Sequence, residues 1–215
     1  FPYTTLFRSN VNYTFEQSGF KDDYPKHPGS NQQPFFFTVP ELHDNRVVLR
    51  YQQAFVRKLL EHSLKYDHVL YCLDNETQGD EAWATYWAGI VRDRAREAGR
   101  AVYLTQMWDH WDVTSEMHRR TVDHPERYDF IDLSQNTHQV GEKNWRGGQA
   151  IWRRIADHPR PINCTKIYGS ESTPRNWNAR SAGGAVANFW RNLVGGFATS
   201  RFHRPLAWKV SAGAA

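Results

Sequence analysis

The sequence is poor in cysteine. Cys72 and Cys164 are the only two, and they fall in predicted buried strands of different strand-helix units. They read as reduced core residues rather than a disulfide, and their spacing carries no metal signature. Long apolar runs are missing as well. None approaches the roughly eighteen residues of a membrane-spanning helix, so no membrane partner is expected. Neither sign of charge dominates: the formal net charge is +4, and Lys and Arg alternate with Asp and Glu along the chain. That pattern lacks the basic stripe that nucleic acid requires. No glycine-rich phosphate turn follows an early strand, which argues against a doubly wound nucleotide-binding sheet. The histidines are scattered, without the pairing on one strand or helix that a metal site needs, so no metal and no cofactor is expected.

Aromatic residues are what the chain has in excess, with nine Trp, ten Tyr and twelve Phe. Many fall near predicted strand ends and loops. They serve core packing or act as stacking platforms for flat apolar faces, including those of sugars. With 215 residues the chain can form one domain with a substantial core. It is short for a complete eight-unit barrel, which usually needs about 250.

Residues 1–9, Phe1-Pro2-Tyr3-Thr4-Thr5-Leu6-Phe7-Arg8-Ser9, match the translation of a common sequencing-adapter oligonucleotide and are set aside from fold reasoning. Domain 10–215 is then expected to begin upstream of what is seen, with any signal peptide lost.

The organising stretch is His68-Val69-Leu70-Tyr71-Cys72-Leu73, followed at once by Asp74-Asn75-Glu76 and released by Gly79 into a helical pattern. This is the signature of a buried parallel strand with polar residues at its carboxyl end. Ahead of it, Asn10–Glu16 alternates like a strand. A long proline-punctuated segment from Gln17 to Asn45 follows, which in a barrel would arch over the strand ends or else form a surface excursion. Val48, Tyr51, Phe55 and Leu59 then recur at helical spacing.

Beyond the organising stretch, Trp83, Tyr86, Trp87, Ile90 and Val91 form a second helical face closed by Gly99. Further strands are predicted at 100–107, 128–134, 161–168 and 197–202, and helices at 114–120 and 142–156. A last helix is expected to carry Val186, Phe189, Trp190, Leu193 and Val194 inward. Strand, helix, strand, helix at this rhythm predicts a parallel sheet with helices outside it. About six strand positions arise, each ending in hydrogen-bonding side chains. The expected fold is an α/β (β/α)8 barrel, incomplete, with the first two units missing.

Reactive residues in such folds sit at the carboxyl ends of strands. The candidates are Asn75 and Glu76, the cluster Trp108, Asp109 and Trp111, then Asn136 with His138, Glu171, and Arg201 with His203. Two carboxyl groups on different strand ends suffice to cleave a glycosidic bond. Glu76 suits the acid, since desolvation among aromatics raises a carboxyl pKa. Each residue also has a plainer role. Glu76 would stabilise a helix N-terminus through the dipole, Glu171 would be a solvated turn residue, and His138, Arg201 and His203 would make structural pairs.

Asn75-Glu76 closing a strand, followed by a strand-helix series that leads to a distant Glu171, resembles the clan of retaining (β/α)8 glycoside hydrolases, the cellulase-like group. In that clan Asn-Glu closes strand four, and the Glu is the acid/base. Counting onward, residues 101–107 are strand five, 128–134 strand six and 162–168 strand seven, which puts Glu171 at the nucleophile's place. Glu171 stands a Gly and a Ser beyond its strand, and Asn136 and His138 stand where the clan has a tyrosine, so Asp109, Asp112 and Asp132 remain alternative nucleophiles.

The resemblance implies a carbohydrate substrate, no cofactor, and a secreted or periplasmic setting. The competing expectation is a barrel that binds glycan and has lost one carboxylate. A barrel lacking its first units would leave sheet edges open, so the chain by itself is expected to be inactive and poorly soluble.

Overall fold

The structure is a computed structural model that describes residues 37–168 and 182–203. The predicted strand at 10–16, most of the proline-punctuated segment and Glu171 lie outside the described residues. The chain divides into two compact units, 1–106 and 107–215.

In the first unit, α1 (Arg46–Ser63) leads to β1 (Leu70–Cys72), and α2 (Glu81–Glu97) leads to β2 (Tyr103–Thr105). β1 and β2 pair in parallel, with Leu70 opposite Tyr103 and Cys72 opposite Thr105. A parallel pair needs a crossover, and α2 supplies it. Asn45 starts α1 by accepting a hydrogen bond from Val48 N at 3.2 Å. The buried stripe of α1 is Val48, Leu49, Gln52, Val56 and Leu60. It lies one position round from the predicted one, and Tyr51 is exposed because Gln52 turns inward to meet the Thr38 hydroxyl at 2.5 Å. Val39, Leu60, Trp83, Trp87, Val91 and Leu104 form the core of this unit.

Gly99 ends α2 as predicted. At φ 63° it occupies the left-handed region. Arg100 N donates to Ala95 O at 2.8 Å and Gly99 N to Arg96 O at 3.1 Å, the two bonds of a Schellman closure.

The second unit runs α3 (Glu116–Val122), β3 (Ile131–Asp132), a 3-10 turn (Ser134–His138), α4 (Glu142–Arg154), β4 (Ile162–Tyr168), α5 (Ala182–Val194) and β5 (Thr199–His203). Its sheet is parallel, in the order β3, β4, β5. Ile131, Leu133, Ile151, Ile155, Ile162, Cys164, Ile167, Ala185 and Phe197 form its core. β4 matches its predicted span. The strands predicted at 100–107 and 128–134 are shorter than expected, because their polar ends turn away into loops.

One expectation holds only in part: Phe189 packs against the core as expected. Val186, Trp190 and Val194 of α5 are not inward but 47, 58 and 76% exposed, while Ala185, Asn188 and Asn192 are buried. The face turned toward the sheet is mixed: Ala185 and Phe189 meet the core, Phe189 stacking on Phe202 with centroids 5.1 Å apart, and Asn188 and Asn192 lie beside them. Asn192 Nδ2 donates to Ser200 Oγ at 3.1 Å, and Asn188 Nδ2 to Gln139 O at 3.3 Å.

The described residues therefore show a mixed α/β fold with short parallel strands in two sheets, and they contain no closed barrel. Among them, no helix is long and apolar enough to cross a membrane.

The Gly99 closure gives a test. A Cβ at this position meets nothing within 4 Å, so only the backbone angle opposes substitution. Gly99→Ala is expected to cost about 1 kcal/mol in urea unfolding.

Candidate functional site

The polar residues at the end of β1 are held by their own hydrogen bonds. Leu73 N continues the ladder to Thr105 O at 3.0 Å. Asp74 is buried; its N–H donates to Gln106 Oε1 at 3.0 Å, and its Oδ1 accepts from Asn75 N at 2.8 Å. Gly79 N donates to Thr77 Oγ1 at 2.9 Å, and the Cys72 thiol donates to Asp74 O at 2.9 Å. This scaffold buries Asn75 and leaves Glu76 half-buried with φ 52°.

A left-handed glutamate is strained by roughly 1–3 kcal/mol, and such strain persists only where the surroundings enforce it. Helix capping does not explain Glu76. α2 begins at Glu81, and Asp80 caps it by accepting from Ala82 N at 2.8 Å. Glu76 lies ahead of that turn, beyond the short reach of the dipole.

In the second unit the sheet has two unlike faces. Ile131 is paired with Ile162 on the apolar side, and Asp132 with Asn163 on the other. A register shift between Cys164 and Ile167 inserts a residue into β4, returning Ile167 to the core and leaving Thr165 and Lys166 to the polar side.

Asp132 sits at the centre of this polar side. Its Oδ1 accepts from Ser134 N at 2.8 Å, and Thr165 Oγ1 lies 3.5 Å from Oδ2. Ser134 Oγ in turn accepts from Thr165 N at 2.8 Å. Asn163 satisfies its neighbours with its nitrogen donating to Ile131 O at 3.2 Å and to Asp132 Oδ2 at 2.9 Å. Burial pushes the Asp132 carboxyl up to about 6, against the hydrogen bond from Ser134 and the charge of Lys166. Burial, with the Asp132 charge, pushes the Cys164 thiol up to about 12, so this cysteine stays protonated and inert.

The loop after β2 holds the aromatic cluster. Trp108 is 1% exposed: its Nε1 donates to Thr121 Oγ1 at 2.8 Å, and the Arg120 guanidinium lies 5.2 Å from its ring centre. Trp111 is 59% exposed and stacks on His110, with centroids 5.7 Å apart and planes 20° from parallel. Asp109 is half-buried. Asp112 Oδ1 accepts from Thr114 N at 2.9 Å and Thr114 Oγ1 at 2.7 Å, and the Thr114 bonds hold its carboxyl below the usual range.

The side-chain nitrogen and backbone carbonyl of Asn136 are used within the protein. Its Nδ2 donates to Asn144 O at 2.8 Å, and Asn144 Nδ2 donates to Asn136 O at 3.0 Å, which clamps the 3-10 turn to α4. Gly147 allows this approach, since a Cβ there would collide with Asn136 Oδ1. His138 is half-buried and Arg201 exposed. His203 is Tyr168's register partner and meets its ring edge-on at 5.0 Å.

Glu171 lies outside the described residues. Asn75 and Glu76 belong to the first unit, and the other described candidates to the second. Among the described residues no three His, Cys, Asp or Glu converge as metal ligands would. A cavity of about 160 Å³ lies between α3 and α4, walled by Val113, Val122, Ile151, Arg119 and Arg154. It is on the helix layer rather than at the strand ends.

Sequence reasoning passed over His118 and Arg160 as site or framework residues. His118 falls in a short polar helix with no signal in its spacing, and Arg160 reads as an ordinary surface arginine beside Pro161. Compared with models of protein families, with curated proteins and with solved structures, the chain matches none of them.

Two tests follow. Asp132 has a raised folded pKa, so its acid form is the one the fold favours. Its contribution is fully present below the unfolded value near 4 and is lost as pH rises through about 6. The loss amounts to roughly 3 kcal/mol at most. Urea unfolding of the unaltered protein and Asp132→Asn, each at several pH values from 4 to 7, is expected to show the unaltered protein weakening relative to the variant over that window. Gly147→Ala is expected to cost roughly 1–3 kcal/mol by breaking the Asn136 clamp, read in the same unfolding assay.

Proposed function

We propose that the chain carries the catalytic region of a retaining glycoside hydrolase built on a (β/α)8 barrel, with Glu76 as acid/base and a carbohydrate as substrate. The reading rests on one observation above the others: a glutamate held in the left-handed region directly behind a parallel strand, beside a buried Asn75. Strain of this kind at a strand's carboxyl end gathers at sites where position matters more than stability. The strand-helix rhythm of both units supports the same reading.

On this reading Glu76 protonates the leaving oxygen and later takes the proton of the incoming water, and Asn75 donates to a sugar hydroxyl. A second carboxylate attacks the anomeric carbon. Glu171 remains the candidate for that role, with Asp109, Asp112 and Asp132 as the alternatives. The competing reading, a barrel that binds glycan without cutting it, keeps the aromatic platform and loses turnover.

The test is hydrolysis of aryl glycosides by the chain in its full reading frame. Glu76→Gln is expected to lower kcat/KM by about 10³-fold on substrates with a poor leaving group and far less on those with a good one. Azide is expected to rescue the variant as a glycosyl azide. Glu76→Gly is expected to relieve the strained backbone and raise stability by about 1 kcal/mol while losing the same activity. Unchanged hydrolysis in Glu76→Gln sinks the proposal.

A further inference from the structure

We infer that Gln106 is a positioning residue for Glu76, which it holds in the left-handed region by turning the chain out of the sheet at Asp74. The inference rests on the reading of Glu76 as acid/base and deepens it by naming what sets that group's position.

β1 and β2 pair in parallel as far as Cys72 and Thr105, and Leu73 N adds one more rung by donating to Thr105 O at 3.0 Å. Successive residues of a strand point their N–H groups to opposite sides, so with Leu73 N facing β2 the Asp74 N–H of a continuing strand would face away. It does the reverse. Asp74 N donates at 3.0 Å to Oε1 of Gln106, one residue beyond the end of β2. A side-chain oxygen thus accepts from a donor that the backbone ladder of β2 would leave alone. Asn75 N, the donor a longer ladder would use next, is taken instead by Asp74 Oδ1 at 2.8 Å. With two successive N–H groups drawn off the ladder, the chain leaves the sheet, and the residue that follows them is Glu76 at φ 52°.

The choice of glutamine fits this task. Leu104, two residues earlier, lies in the apolar core, so position 106 continues the core side of β2. Gln106 is only 2% exposed there, and a buried amide costs desolvation unless its carbonyl is used. The bond from Asp74 N is that use. A carboxamide also has no proton to lose, so it remains an acceptor at every pH at which Glu76 would pass between acid and base. A strained backbone persists only where its surroundings over-determine it, and the paired bonds at Asp74 supply that constraint immediately ahead of Glu76.

The experiment labels the full chain with isotope-enriched glutamate and reads the intraresidue amide-to-Hα NOE of Glu76, which is strongest at positive φ. The resonance is assigned by its loss in Glu76→Gln. Gln106→Met, matched in length and lacking the carbonyl, is expected to lose the strong cross-peak. On aryl glycosides it is expected to lower kcat by about 10²-fold, the scale of a reacting group misplaced by about 1 Å, and to leave KM unchanged. Urea midpoints complete a double-mutant cycle. Glu76→Gly is expected to raise the midpoint of the otherwise unaltered chain and to leave that of Gln106→Met unmoved, since the strain it relieves is already gone. A side chain that merely packs would lower the midpoint without touching the cross-peak or this coupling. Gln106→Asn keeps the amide but falls one methylene short of Asp74 N, and it is expected to give the same results in a chain that retains a polar group at this position.

A Glu76 cross-peak that stays strong in both Gln106 variants, or Glu76→Gly raising the midpoint equally in the unaltered and Gln106→Met chains, overturns the inference. Hydrolysis that depends on Glu76 but keeps its kcat in Gln106→Met overturns this inference alone. A lost cross-peak and a coupled cycle in a chain that hydrolyses no glycoside overturn the hydrolase and leave the hold of Gln106 on Glu76 standing.

Discussion

A strand of two residues cannot hold its place in a sheet by its ladder alone, and β3 is such a strand. Its backbone bonds to β4 come to little more than Ile131 N to Pro161 O at 2.9 Å and Leu133 N to Asn163 O at 2.8 Å. Side chains do the rest. Asp132 ties the turn after β3 through Ser134, while Thr165 and Asn163 reach it from β4. Behind the strand the buried Arg160 donates from Nη1 to Tyr128 O at 2.8 Å and Thr121 O at 3.3 Å, and from Nη2 to Val122 O. The 3-10 turn, the Asn136 clamp and the start of α4 all inherit their position from this brace.

The brace also sorts the sheet chemically. One face is aliphatic and carries α4 and α5. The other buries Asp132, Asn163, Ser134 and Lys166, an arrangement that costs desolvation and is tolerated because the oxygens and nitrogens meet one another. In the first unit the same preference for held polar groups places Asp74, Asn75 and Thr77 in the interior and leaves Glu76 in a backbone conformation that a glycine would take more readily. In both units stability is spent at the carboxyl ends of strands, where the strand-helix architecture brings its loops together.

Much of the fold was legible in the sequence, and particular residues show why. β4 is a proline-bounded, β-branched run, and it forms where its pattern placed it. Gly99 ended a helix because no other residue type takes φ 63° so readily. The orientation of α5 was not legible, because periodicity locates a stripe without saying what lies opposite. Asn188 and Asn192 find partners on the inner side, and Val186, Trp190 and Val194 are turned out. The site was legible only in part. Asn75-Glu76 after an apolar run marked a strand end, but the strain at Glu76 is a property of the backbone and leaves no trace in residue type. Trp108 and Trp111 looked equivalent on paper. One is a core residue anchored to Thr121 and the other a surface ring, and only the loop between them decides which is which.

Arg160 has one more consequence. A seven-residue helix is too short to persist unaided, and the closing carbonyls of α3, at Thr121 and Val122, are satisfied by a guanidinium nearly forty residues further along the chain. The end of α3 therefore does not fray on its own. It opens when the segment bearing Arg160 departs, so amide protons of α3 and of β3 are expected to exchange as one cooperative unit.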